Sequence, residues 1–93
     1  MALTVEHEKE RPVVSQNGNI TIPVAVVIKD DAVEVKRQTV AEIGDKNSDL
    51  EIFSQAMIDK SQAVVDAYKL ESQVFESGKF NTLISNMNSG VTI

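Results

Sequence analysis

Cysteine and tryptophan are absent from this chain, aromatic residues make up 4% of it, and His7 is its one histidine. Each shortage removes a class of chemistry. Without cysteine there is no disulfide, thiolate metal site or cysteine nucleophile, so the fold must hold by packing alone. Scarce aromatics leave little to stack on bases or sugars and make the core aliphatic. Acidic residues outnumber basic ones, 14 to 9, for a net charge of −5. That balance disfavours a broad phosphate-binding face, because Lys and Arg supply most non-specific affinity for nucleic acid. The adjacent basic pair Lys36-Arg37 has Glu34 close by. No nucleic-acid partner is expected.

No apolar run approaches the ~20 residues of a membrane span. The segment Met1 to Arg11 carries acidic residues and lacks the apolar centre of a secretory leader. The expectation is a protein without a membrane partner, located in the cytoplasm. The four glycines are scattered, each placed like a turn or a cap, so no glycine-rich phosphate loop follows a strand.

What the chain does have is material for one α+β domain. Residues 1–11 alternate charge (Glu6, His7, Glu8, Lys9, Glu10, Arg11) and offer little to bury, which is the pattern of a flexible arm. Residues 12–93 form the single domain. Asn17-Gly18 is a type I′ turn signal, allowing a small hairpin of Val13 to Gln16 against Asn19 to Ile22 and hence a third strand.

The main antiparallel hairpin spans about residues 20–40. Ile20, Ile22, Val24, Val26 and Ile28 share one strand face, while Thr21, Pro23, Ala25, Val27 and Lys29 share the other. A turn at Asp30-Asp31 sets Ile28 opposite Val33 and Val26 opposite Val35, continuing the apolar face. Pro23 lacks an N–H, so its strand lies at an edge or is unpaired on that side.

A polar break at Gly44 to Asn47 precedes Ser48-Asp49-Leu50-Glu51, a capping-box sequence in which the Ser48 hydroxyl accepts from the Glu51 N–H. Leu50, Phe53, Met57, Ile58, Val64, Val65, Tyr68 and Phe75 then recur at helical spacing, predicting one long helix over about 49–77, about 40 Å in length. Gly78 suits the left-handed position that ends it. Phe80, Leu83, Ile84 and Met87 make an i, i+3, i+4, i+7 stripe for a short C-terminal helix over about 79–89, expected to be core.

Asp45, Asn47 and Asp49 alternate like the start of a calcium loop. Leu50 stands where that loop needs Gly and Ala56 where it needs a bidentate Glu, so capping and loop solvation are the reading and no metal is expected. His7 sits among glutamates with no group to orient it, and no Cys or second His offers a nucleophile–base pair. Neither a catalytic residue nor a cofactor site is expected, and the chain is read as non-enzymatic. Lys60, Lys69 and Lys79 each fit helix solvation or the helix dipole.

The hairpin is apolar on both faces, and a two-stranded ribbon cannot cover both. That incompleteness predicts a homodimer with Ala25, Val27, Val64, Tyr68 and Phe75 at the interface. The function expected is a small structural or protein-interaction module. A second reading is an acidic regulatory or inhibitory binder of a single cellular protein.

The ordering Ile22-Pro23-Val24-Ala25-Val26-Val27-Ile28-Lys29-Asp30, then Val65-Asp66-Ala67-Tyr68-Lys69-Leu70-Glu71, then Phe75 and Phe80 to Ser85, resembles small uncharacterised proteins of bacteriophage and prophage gene neighbourhoods. The resemblance covers most of the chain beyond the arm. It implies a virion-associated or assembly role, a virion location as the alternative to the cytoplasm, and no catalytic residues.

Overall fold

A computed structural model describes residues 2–93. The chain is α+β: strands β1 (Leu3–Lys9), β2 (Val13–Val14), β3 (Asn19–Asp30) and β4 (Val33–Asp45) form one antiparallel sheet, followed by helices α1 (Ser54–Phe75) and α2 (Gly78–Gly90). Strand β3 is central. On one side it pairs with β4 along its whole length, and on the other with β1 and β2 in succession. Its run of β-branched residues suits a strand buried on both faces.

The expected charged arm is corrected here: Leu3–Lys9 is a strand paired with β3 from Asp30 to Val24. What reads as charge alternation in a tail is the period-2 pattern of an edge strand. Leu3, Val5 and His7 share one face, and Thr4, Glu6 and Glu8 the other.

The small hairpin forms with a different turn and register: Val13 faces Thr21 and Val14 faces Ile20, one residue off the pairing a two-residue Asn17-Gly18 turn gives, and with Gly18 (φ +88°) at positive φ but Asn17 not, the turn is not type I′. Pro23 lies in the central strand, opposite the break between β1 and β2, where its missing N–H leaves no ladder bond unmade. The Glu10 N–H donates to its carbonyl at 3.4 Å.

The register of the main hairpin also differs from expectation. The turn is Asp31-Ala32, both at positive φ (50° and 71°), and Asp30 faces Val33. A bulge then shifts the pairing between Lys29 and Ile28, so Ile28 faces Lys36 and Val26 faces Gln38, where Val33 and Val35 were expected. Both turn residues adopt the left-handed conformation that a type I′ turn requires, which matches the right-handed twist of the strands.

Helix α1 crosses the face formed by Val24, Val26 and Ile28. Val26, Ile28 and Val64 are buried together, with Val40, Val65 and Tyr68 packed around them. At about 1.5–3 kcal/mol for each fully buried side chain, this small cluster is the main source of helix–sheet adhesion. Two ion pairs fix the helix along β4: Lys60 to Glu42 at 2.9 Å and Lys36 to Glu71 at 3.5 Å.

The cap differs as well. The Asp49 carboxylate accepts from the Glu51 N–H at 3.1 Å and opens a 3₁₀ turn, Leu50–Phe53, ahead of α1. Ser48 instead accepts from the Asp45 N–H at 3.0 Å. Gly44 allows this corner to close, since a Cβ there would lie 2.8 Å from Ser48 Oγ and 2.9 Å from the Phe53 ring. Gly78 does not end α1 in the left-handed conformation; it begins α2, whose cap is Ser77 accepting from the Lys79 N–H at 3.1 Å.

Helix α2 buries none of its residues, so its stripe is not core. The molecule measures 59 × 35 × 19 Å with a radius of gyration of 18.8 Å. A compact chain of this length has a radius of about 12 Å.

Candidate functional site

Three features bear on function: the reverse face of the sheet, a groove between β1 and α1, and the exposed helical end. The reverse face carries Ala25 and Val27, and both are buried. Their cover comes from this chain. Arg37 faces Val27 across the β3–β4 ladder, and Glu8 faces Ala25 across the β1–β3 ladder. The Arg37 guanidinium spans the central strand, with Nη1 donating to Glu8 Oε1 at 3.2 Å and Nη2 to Glu34 Oε1 at 2.7 Å. Lys29 pairs with Glu6 at 3.0 Å, and the Thr39 hydroxyl donates to Glu10 at 2.6 Å. These links lie over the valine and alanine like rungs, and the long stems of Lys and Arg add apolar cover.

The electrostatics follow from that geometry. The hydrogen bonds from Arg37 hold the Glu34 carboxyl below its ordinary value, against a smaller opposing effect of desolvation. Bonds to Glu34 and then Glu8 raise the guanidinium above its own ordinary value. Both are solvent-facing, so the ladder acts as a lid over apolar surface and not as a buried charge pair.

The expected interface is therefore corrected. Ala25, Val27 and Val64 are enclosed by the chain's own atoms, and Tyr68 packs against the core. Phe75 is 75% exposed. One copy does shield its sheet, because the segment read as an arm supplies the glutamates that cover the reverse face.

On the other face, α1 lies over β3 and β4 and leaves β1 partly open. The groove between β1 and α1 has a volume of about 660 Å³ and is lined by Val5, Val24, Met57, Ile58 and Val65, with His7 and Ser61 among them. It is continuous through Val24, Ser54 and Met57 with a second hollow of about 420 Å³ that reaches Pro12, Leu50 and Phe53.

His7 Nε2 and Ser61 Oγ are 2.7 Å apart, and Ser61 is buried. Sequence reasoning missed this pair because it treated His7 as tail. The alternation of Leu3, Val5 and His7 was the available signal.

A histidine bonded to a serine is one part of a nucleophilic centre, and the others are missing among the described residues. Ser61 lies in the middle of α1, whose backbone N–H groups are committed to helix bonds, so no donor pair faces a developing oxyanion. Among the described residues no second side chain bonds to the His7 ring. The pair satisfies two polar groups on an apolar floor, which is what a buried hydroxyl requires. Among the described residues no cluster of His, Asp or Glu could hold a metal ion. The Asp45 carboxylate instead accepts from the Asn47 N–H at 2.8 Å as an ordinary turn contact.

The third feature is the helical end. Leu70, Val74 and Phe75 on α1 and Leu83, Ile84 and Met87 on α2 are all exposed, while the Phe75 and Phe80 rings meet at a tilt of 58° with centres 6.4 Å apart. No helix among the described residues is long and apolar enough to cross a membrane. No protein-family model matches the chain, and neither curated proteins nor solved structures give a significant match.

Proposed function

We propose that the protein is a non-enzymatic structural module that works by association, with a second copy of itself as its first partner. The observation that carries this reading is α2, a thirteen-residue helix with an apolar stripe and no buried residue. An isolated helix of that length is marginal in water, so its stability has to come from packing of the stripe. Exposed apolar surface of this extent marks an interaction site in a soluble protein.

The elongated form supports the same reading, because one copy leaves the C-terminal part of α1 and all of α2 outside its core. A role in virion assembly is the setting that the resemblance to phage and prophage proteins implies, and it rests on that resemblance. The alternative, an acidic binder of one cellular protein, has weaker support: Glu6, Glu8, Glu34, Glu42 and Glu71 are each engaged within the chain.

Light scattering over a concentration series tests the proposal. Mass doubling that persists at high salt supports apolar self-association. A monomer at all concentrations, together with salt-sensitive capture by a basic protein, supports the acidic binder.

A further inference from the structure

Two apolar surfaces of this chain lie open: the stripe of α2 and the groove between β1 and α1. We propose that they are partners between copies, with α2 of one copy lying in the groove of the other and the exchange made reciprocally about a two-fold axis. The inference rests on the self-association reading above and goes beyond it by naming both contacting surfaces.

Length is the first argument. The groove runs along α1 from Ser54 to Lys69, about 22 Å at the helical rise. Helix α2 has 13 residues and spans about 20 Å. The groove thus accommodates the whole helix.

Chemistry is the second. The α2 stripe of Phe80, Leu83, Ile84 and Met87 carries no charge, and the one ionic side chain of the helix, Lys79, is at its first turn. The groove floor is aliphatic; His7 and Ser61 on it satisfy each other at 2.7 Å, while Ser54, Gln62 and Lys69 also line the groove and are exposed. Docking on that floor leaves the His7–Ser61 pair satisfied, and Gln62 keeps its bond to Asp66, so the cost of covering a mixed surface falls on the exposed Ser54 and Lys69, which must stay in contact with water.

Area is the third. Leu83, Ile84, Met87 and Val91 are 53%, 42%, 52% and 75% exposed, and Val5, Leu50 and Ile58 are 38%, 61% and 57% exposed. Taking roughly 170 Å² for each aliphatic residue when fully exposed, they offer about 640 Å² per copy, at the lower end of the roughly 600–1,000 Å² each partner contributes to a specific complex. Neither surface alone reaches that size. A two-fold exchange uses both surfaces twice and closes the assembly at two chains.

The experiment is complementation by sedimentation velocity. One variant carries Leu83→Glu and Met87→Glu on α2, and the other Ile58→Glu in the groove. All three sites are exposed in the single chain, and circular dichroism checks that each variant keeps its helix content.

Each variant alone is expected to be monomeric where the wild type dimerises. An equimolar mixture is expected to form a heterodimer, at least about tenfold weaker than the wild type, because one intact helix still meets one intact groove. If Ile58→Glu loses helix content, Ile58→Cys chains mixed with Leu83→Cys chains under an added oxidant, oxidised glutathione, replace it, and a disulfide between the two, with the thiol electrons passing to glutathione, is the expected product.

Dimerisation of the groove variant at wild-type strength, or no cross-link, overturns the exchange while leaving self-association standing. A wild type that stays monomeric to millimolar concentration overturns both.

Discussion

Arg37 on β4 reaches across the central strand to Glu8 on β1, closing over Val27 with an Nη1 to Oε1 distance of 3.2 Å. The contact joins residues 29 positions apart. It explains how a valine on the face opposite α1 comes to be fully buried. The first prediction concerns that valine. Val27→Lys is expected to unfold the chain with no dependence on concentration, since it places an unpaired charge under the ladder. Val27→Ala is expected to cost about 2–4 kcal/mol in urea denaturation. A Val27→Lys chain that stays folded and loses only self-association would return that side chain to an interface.

Removing the lid tests the same region from outside. Arg37→Ala is expected to lower the urea midpoint slightly, combining a modest loss of surface ion pairing with loss of apolar cover from its stem. Binding of a hydrophobic dye should rise as Ala25 and Val27 become accessible. Unchanged stability and dye binding would mean that Arg37 covers nothing.

Glu34 gives a prediction in pH. Its folded value lies below the ordinary 4.5 because Arg37 donates to it. Its contribution to stability is therefore fully present above the unfolded value and is lost as pH falls through the folded value. NMR titration is expected to show a lowered midpoint for Glu34 that returns to the ordinary value in Arg37→Ala. A midpoint unmoved by that substitution would assign the shift to another cause.

The turn at Asp31-Ala32 holds an alanine at φ 71°. A β-carbon there costs about 1–2 kcal/mol, and glycine is free of that cost. Ala32→Gly is expected to stabilise the chain by about 1 kcal/mol, partly offset by the freer unfolded state, and to raise Tm by roughly 4–8 °C. A lowered Tm would show that the turn does not adopt the I′ conformation.

His7 and Ser61 form the last test. A double-mutant cycle with His7→Ala and Ser61→Ala is expected to give a coupling of about 1 kcal/mol, the usual net value of one hydrogen bond. Zero coupling would separate β1 from α1 at this point.

Local pattern was enough for the α+β class, the apolar strand from Ile20 to Ile28, a turn near Gly18 and the two helices, because each follows from a period or a turn preference a few residues long; it did not place that strand at the centre of the sheet, since Pro23 pointed to an edge. It missed β1, since Leu3 to Lys9 has too few apolar residues to announce a strand without the partner that gives its charges a purpose. It misplaced the β3–β4 register because the turn sits one residue later, at Asp31-Ala32, and a bulge then adds one residue to β4, and local pattern gives the place of neither. Tertiary structure alone decided which surfaces stay open. Whether Val27 or Met87 meets solvent depends on side chains brought from distant positions, Glu8 and Arg37 over the one and none over the other. Burial is a property of the assembled chain: it depends on what finally lies above a residue and not on the hydrophobicity of the residue itself.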